Sequence, residues 1–308
     1  MSSASPIPVV DLSARQARVT ETIRDACERI GFFCITGHGA ADHAIEGMYR
    51  ASRDFFDLAE SQKRRVGSAG DVLGGLMYFP MESERLAASR GEETPADIKE
   101  TLDHGPGFYG DVWPDDPVNL RGAWIDYYRV MSDLASRLRR IFALAIGLPE
   151  TYFEPFFGRH HSSLRVLNYP DQNHPPIQGQ LRAGAHSDYG FLTILRSEAS
   201  SGGLQAQRRD GRWIDVPVVP GGFVVNIGDA LMRWTNDHWT STVHRVVNPP
   251  ADERTGTRRQ SIAFFHNPNI DAVIDCLDLF SGQGKPKYPA VTYGEYADTK
   301  YRLAHRTN

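Results

Sequence analysis

Apolar residues recur along this chain in two rhythms, and the change from one to the other falls near residue 160. In the first half the rhythm is helical. From about Ala14 to Ile30, residues Val19, Ile23, Ala26, Cys27 and Ile30 share one face, and Gly31 supplies the stop. A second amphipathic pattern runs from about Asp42 to Leu58, a short one follows Ser61, and a long one fits Val118 to Ile146, ended by Gly147 and Pro149. Two apolar runs, Ile7 to Leu12 and Gly31 to Thr36, predict strands in this half, the second closed by Gly37-His38-Gly39. Residues 67 to 117 are rich in Gly, Pro and charge with weak periodicity, which predicts a long irregular stretch of functional importance or mobility.

Beyond residue 160 the texture becomes that of short strands between Gly, Pro and Asn-Pro breaks. Ser163 to Tyr169, Phe191 to Leu195, Trp213 to Val219, Phe223 to Ile227, Thr242 to Val247 and Ser261 to Phe265 all read this way. Evenly spaced short strands with turn signals predict a sandwich or barrel. The expected architecture is mainly β with flanking helices. A mixed helical region (1–160) packs on a β core with its C-terminal segment (161–308), and no linker separates them, so the two form one functional unit.

Charge narrows the partners. A net charge of -4 gives no electrostatic reason to expect nucleic acid or an anionic membrane. The basic runs Lys63-Arg64-Arg65 and Arg137 to Arg140 read as solvated faces of helices. Cys27, Cys34 and Cys276 form no CxxC and no even framework, so no disulfide is expected. Met1 to Pro8 lacks the charged and apolar regions of a secretory signal, and no apolar run approaches the roughly 20 residues of a membrane helix. The expectation is a soluble cytoplasmic protein with no obligate protein partner indicated.

The candidate chemistry begins at His186-Ser187-Asp188. In a strand, residues i and i+2 point to one side, so both side chains can meet at a single spot. His244 lies in another predicted strand. Two imidazoles and one carboxylate on one face of an octahedron leave three positions open, which suits iron(II) and oxygen chemistry. Zinc accepts the same ligands, and His244 alone could be an ordinary strand histidine. Arg259-Gln260-Ser261 follows, with Arg259 and Ser261 again on one face. A guanidinium inside a barrel is unfavourable unless an anion meets it, and Arg with Ser suits a carboxylate. An outward Arg at a strand start remains open on spacing alone.

At these residues the chain resembles the isopenicillin N synthase-like branch of the iron(II)/2-oxoglutarate-dependent oxygenases. The matching runs are Ala185 to Leu195, Gly203-Leu-Gln205, Trp213 to Pro217, Phe223 to Asp229, Trp234-Thr-Asn236, Ser241 to Val247, Arg259 to Ser261 and Phe264-Phe265. Ile7 to Asp11, Gly31-Phe-Phe33 with His38-Gly39, Asp97 to Glu100, Lys287-Tyr-Pro289 and Gly294-Glu-Tyr296 extend the likeness over essentially the whole chain.

The resemblance implies a double-stranded β-helix (jelly-roll) core braced by N-terminal α-helices. It implies His186, Asp188 and His244 as Fe(II) ligands, with Arg259 and Ser261 at the distal carboxylate of 2-oxoglutarate. In the family pattern Arg-x-x-x-Tyr-Pro it implies Tyr169 near the cosubstrate and Arg165 lining the pocket. 2-Oxoglutarate would chelate iron through its 1-carboxylate and 2-oxo oxygens, and with O2 yield succinate and CO2. The outcome would be oxidation of an unactivated C–H of a small molecule, most simply hydroxylation, with desaturation and cyclisation also known in the family.

Three other readings stand beside this one. They are an iron oxidase of the same fold that does not use 2-oxoglutarate, a non-catalytic jelly-roll binding protein, and a zinc hydrolase, which has no need of Arg259 and Ser261. The family's Gly-Tyr pairing departs here to Gly74-Gly75-Leu76-Met77-Tyr78-Phe79-Pro80, which leaves the pocket wall less defined. Family geometry puts residues from about 72 to 104, the 171–182 loop and the C-terminal segment around the pocket mouth. Tyr78, Phe79, Arg182, Phe265 and Asn267 are the candidate substrate contacts, and His174 and His266 are bystanders. By analogy the substrate is a specialised metabolite or an amino-acid derivative, placing the chain in secondary metabolism.

Overall fold

A computed structural model of the protein describes residues 7–66, 76–105, 113–115, 117–199, 203–253, 255–282 and 285–304. Gly74 and Gly75 of the departing run, and Met1 to Pro6 of the N-terminal stretch, lie outside the described residues.

The chain opens with β1 (Val9–Asp11) and crosses through α1 (Gln16–Arg29) to β2 (Phe32–Thr36), which lies parallel to β1. Parallel neighbours need such a crossover, and α1 returns across the sheet on its buried face of Val19, Ile23, Ala26 and Cys27. Its stop is Gly31 at φ 65°, where a Cβ would lie 1.9 Å from the carbonyl oxygen of Thr240. Then come α2 (Asp42–Phe56), the short α3 (Glu60–Lys63), β3 (Met77–Phe79), a 3-10 turn (Leu86–Arg90) and β4 (Glu100–His104). The longest helix, α4 (Leu120–Ile146), ends at Gly147 in the left-handed region, with Leu148 N–H donating to the Ala143 carbonyl at 2.9 Å.

The β-rich half contributes β5 (Ser163–Tyr169), β6 (Ala183–His186), β7 (Leu192–Ser197), β8 (Leu204–Gln207), β9 (Trp213–Asp215), β10 (Phe223–Ile227), β11 (His244–Val246) and β12 (Arg259–His266). Helix α5 (Asp229–Trp234) precedes β11. After β12 come β13 (Val273–Ile274), α6 (Asp278–Ser281), β14 (Val291–Thr292) and α7 (Tyr293–Ala304). Eight strands form a major sheet in the order β1-β2-β10-β7-β12-β5-β4-β3, and four form a minor sheet, β6-β11-β8-β9. Packed face to face, they make the jelly-roll core.

Strand alternation assigns each side of the major sheet its task. Leu164, Val166, Ile194, Val225, Ile262 and Phe264 turn toward the helices and join Trp124, Met131, Leu138 and Phe142 of α4 in the larger core. The alternate residues turn inward, where Phe32, Cys34 and Val224 meet Ala183, Leu204, Ala206 and Val246 of the minor sheet. Arg259, Ser261, Ala263 and Phe265 belong to this inner side.

Of the expected irregular stretch 67–117, residues 67–75, 106–112 and 116 lie outside the described residues, and the described part is corrected by β3 and β4, which complete the major sheet beside β5. Strand β4 reads Glu-Thr-Leu-Asp-His with every residue buried, so it carries no hydrophobic rhythm to find. The basic runs are not uniformly solvated either. Lys63 is buried against Glu100, and Arg139 is buried with its guanidinium 3.1 Å from His266. All three cysteines are free. Among the described residues, no helix is long and apolar enough to cross a membrane.

Candidate metal centre

The minor sheet brings the two histidines together through its register. β6 and β11 run antiparallel with His244 opposite His186, and their ring centroids lie 4.3 Å apart. β6 stops at His186, so Asp188 arrives from the turn that follows rather than from a continued strand. That turn is fixed by the Asp229 N–H, which donates to the Asp188 carbonyl at 2.8 Å. Asp188 Oδ1 lies 3.9 Å from His186 Nε2 and 3.7 Å from His244 Nε2. Among the described residues this is the one cluster of His, Cys, Asp or Glu with ligand atoms within 4.8 Å of one another.

Hydrogen bonding decides which atoms face the centre. His186 Nδ1 donates to the Gly184 carbonyl at 2.8 Å, and His244 Nδ1 to the Thr242 carbonyl at 3.0 Å. A carbonyl only accepts, so each Nδ1 carries the proton and each Nε2 offers a lone pair. Asp188 Oδ2 accepts from Thr193 Oγ1 and Asn226 Nδ2, both at 2.6 Å, which leaves Oδ1 for the centre. Burial, reinforced by the neighbouring His244, holds the His186 imidazole well below its usual range and therefore neutral. Burial works against the Asp188 carboxylate. The facing imidazoles and the bonds from Thr193 and Asn226 outweigh it and leave the pKa lowered. Two imidazole nitrogens and a carboxylate oxygen are the donor set that Fe(II) takes.

Arg259 and Tyr169 stand opposite one another in the register of β12 and β5, with the guanidinium 5.3 Å from the ring centroid. Arg259 is 3% exposed, and its Nε donates to Ser197 Oγ at 2.9 Å. It makes no ion pair with any described residue, and burial pulls its pKa below the usual value. Ser261, 1% exposed, is next on the same face, and its hydroxyl bonds to no described residue. A buried guanidinium and a buried hydroxyl without a carboxylate of their own fit a carboxylate ligand. Arg182 also belongs to this end. It stands over the same Tyr169 ring at 5.8 Å and donates to the carbonyls of Pro170 (3.1 Å) and Thr257 (2.5 Å). Burial, then Arg259, pulls its pKa to about 10.

The remaining candidates separate by face. Phe265 stands opposite Thr193, the residue whose hydroxyl donates to Asp188, in the β12–β7 register. Arg165 and Phe79 share the inner side, with the guanidinium 5.6 Å from the ring. Its fork is engaged by Asp103 (2.5 Å) and Glu84 (3.1 Å). Asn267 donates to the His161 carbonyl at 3.1 Å and packs against Gly190. Tyr78 turns the other way. Its ring meets Phe55, and its hydroxyl donates to Glu100 at 2.5 Å on the helix side of the sheet. His266 is buried on that side too, stacked on Phe157.

Several residues near the triad carried no assignment from the sequence: Thr193, Asn226, Tyr189, Asp229, and Tyr296 and Lys300 of α7. Asp229 Oδ2 accepts from Ser187 Oγ at 3.3 Å and Tyr296 Oη at 2.7 Å, with Lys300 Nζ at 3.6 Å, so α7 is tied to the loop between His186 and Asp188. The available signal was polarity in the wrong place, since Thr193 and Asn226 stand at buried positions among apolar neighbours.

Two family models match the chain. One is the 2OG-Fe(II) oxygenase superfamily over residues 161–268, and the other a non-haem dioxygenase N-terminal region, described from morphine synthesis, over residues 7–124. A 2-oxoglutarate-Fe(II) type oxidoreductase of Aspergillus fumigatus is 30% identical, over 96% of this chain and 92% of its own. A homoarginine-6-hydroxylase of Oryza sativa is 30% identical, over 91% and 87%. Among solved structures, a full-length Neurospora crassa protein in complex with alpha-KG and thymine superposes with a TM-score of 0.83 at 29% identity, covering 96% of each chain.

Proposed function

This chain belongs to the 2OG-Fe(II) oxygenase superfamily, and on that premise we propose that His186, Asp188 and His244 hold its iron while Arg259 and Ser261 anchor its cosubstrate. The chain is a 2-oxoglutarate-dependent dioxygenase, and an oxidase that dispenses with 2-oxoglutarate is not favoured. When bound, iron would activate O2, the oxidant, while 2-oxoglutarate would supply two electrons and leave as succinate and CO2.

The chain's own residues provide placement. The Nδ1 bonds to Gly184 and Thr242 hold both imidazoles in the tautomer that presents Nε2. Thr193 and Asn226 keep one Asp188 oxygen turned to the centre. Arg259 and Ser261, on the inner side of β12, would take the distal carboxylate, and the Tyr169 ring packs beneath the guanidinium. The observation that carries this reading is the buried Arg259–Ser261 pair, charged and hydroxylated, in which Arg259 makes no ion pair with any described residue.

The substrate would approach from the opposite direction along β12, past Phe265, Phe79 and Arg165. A small molecule suits this reading. The relatives include homoarginine hydroxylases, and the Neurospora crassa neighbour holds thymine in its complex. Hydroxylation is the proposed outcome. The helical and β-rich halves would act as one unit, since β1 to β4 lie in the same sheet as β5, β7, β10 and β12.

Anaerobic titration of the iron(II)-loaded protein with 2-oxoglutarate tests the reading. A weak visible charge-transfer band is expected, and it should require far more 2-oxoglutarate in Arg259→Ala. A band that develops identically in that variant would overturn the anchor assignment.

A further inference from the structure

Asp97 and Lys99 lie just before β4, buried against the strand that carries His186. Asp97 Oδ1 accepts the Gly184 N–H at 2.9 Å. Its Oδ2 accepts the Leu86 N–H at 3.2 Å and the Lys99 ammonium at 2.6 Å. Gly184 is also the residue whose carbonyl accepts from His186 Nδ1. One residue of β6 is thus gripped at both backbone groups, by a carboxylate on one side and by the imidazole on the other.

The grip continues outward. Lys99, 1% exposed, reaches Glu84 at 3.2 Å, and Glu84 reaches Arg165 at 3.1 Å. Burial works against the Lys99 ammonium, but Glu84 and Asp97 outweigh it and leave its pKa raised, so it stays charged. A Cβ at position 184 would lie 3.1 Å from both Asp97 Oδ1 and Ala87 N, so the approach of Asp97 to the strand uses the absence of a side chain there. Buried ions are poor stabilisers compared with apolar packing of the same volume. Their presence here is better explained by what they hold in place.

We propose that Asp97, itself oriented by Lys99, is a positioning residue for His186: by pinning Gly184 it fixes the carbonyl that sets the tautomer and rotation of the imidazole. The proposal rests on His186 being a metal ligand. Loosening Gly184 would let the ring turn and weaken the metal without removing any donor atom, and groups of this kind typically alter metal affinity ~10–100-fold.

The test compares the Asp97→Leu/Lys99→Met double variant, which removes one charge of each sign together with the acceptor for the Gly184 N–H, with wild type, His186→Ala and Asp103→Asn. Asp103 belongs to the same charged array through Arg165. Iron(II) dissociation constants come from anaerobic competition with a chromophoric chelator. Visible spectra of the cobalt(II) form report ligand geometry, and melting of the metal-free proteins reports folding. The double variant should melt near wild type, bind iron roughly 10–100-fold more weakly and show a shifted cobalt spectrum. Iron affinity within twofold of wild type in the folded double variant would overturn the proposal, as would an equal loss in Asp103→Asn. Should the double variant fail to fold, Lys99→Arg and Asp97→Glu decide. The first should keep wild-type iron affinity and the second lose it, and equal behaviour would overturn the proposal. Normal iron binding by His186→Ala would instead remove the ligand assignment beneath it.

Discussion

The Thr193 hydroxyl donates to Asp188 Oδ2 at 2.6 Å, and this bond helps decide which carboxylate oxygen faces His186 and His244. Thr193 sits on β7 and Asp188 on the turn before it, so the sheet positions the carboxylate through a neighbouring strand rather than through its own backbone. Asn226 of β10 adds the second bond to the same oxygen. Thr193→Val keeps the shape and removes the donor. We expect iron affinity to fall ~10-fold or more, with the melting temperature of the metal-free protein little changed. A chelator-competition titration checks this, and unchanged affinity would mean that Asn226 alone suffices.

Arg259 makes no ion pair with any described residue, so Arg259→Ala should be felt chiefly by the cosubstrate. Hydrogen bonds to charged groups are worth ~1.5–3 kcal/mol, which corresponds to a rise in the 2-oxoglutarate requirement of roughly 10- to 150-fold. Iron affinity should stay at the wild-type level, because Arg259 and the triad lie at different places on the inner face. Succinate formation measured against 2-oxoglutarate concentration separates the two effects.

The metal-free protein should lose stability as pH falls below about 6.5. Burial pulls the His161 imidazole down to about 4, and burial, then Arg139, holds His266 well below its usual range. Both groups therefore bind protons less readily folded than unfolded. The stability they contribute is fully present above pH 6.5, the ordinary value, and is lost progressively toward pH 4 and below. Melting temperatures across pH 4 to 7 should slope downward on acidification, and His161→Gln should make the slope shallower. An equal slope in that variant would place the acid sensitivity elsewhere.

Where the sequence was legible, one physical signal did the speaking. The apolar face of α1, the length of α4 and the β-branched runs of β7 and β10 are consequences of burial, and burial leaves a rhythm. The two-residue spacing of Arg259 and Ser261 was legible because it lies within a strand. The same logic fails for β4 and β6, one made of charged and polar residues around the single apolar Leu102 and the other of Ala, Gly and His. Their burial depends on partners far away in sequence, as Arg165 for Asp103 and Asn168 for Glu100. Tyr78 and Phe79 are adjacent, so they face opposite sides of β3 and cannot both approach the triad. Only the register with β4 says which one turns to the inner side.

Lys63 gives the last expectation, because the sequence casts it as solvated and the fold buries it. Its ammonium lies 2.6 Å from Glu100 Oε2, with both side chains under 10% exposed. Glu100 also accepts from Tyr78 at 2.5 Å and from Asn168 at 2.8 Å. Removing one member of such a pair leaves an uncompensated buried charge, so Lys63→Met should destabilise the fold by ~3–5 kcal/mol. Adding Glu100→Gln removes the stranded charge while keeping an acceptor for Tyr78 and Asn168 within reach, and should restore most of the loss. Denaturant unfolding of the two single variants and the double variant gives the coupling. A double variant no more stable than Lys63→Met would show that the array is held by packing, with the ion pair incidental. Iron affinity should be the same in all three, because this pair lies on the helix side of the major sheet and the triad on the inner side.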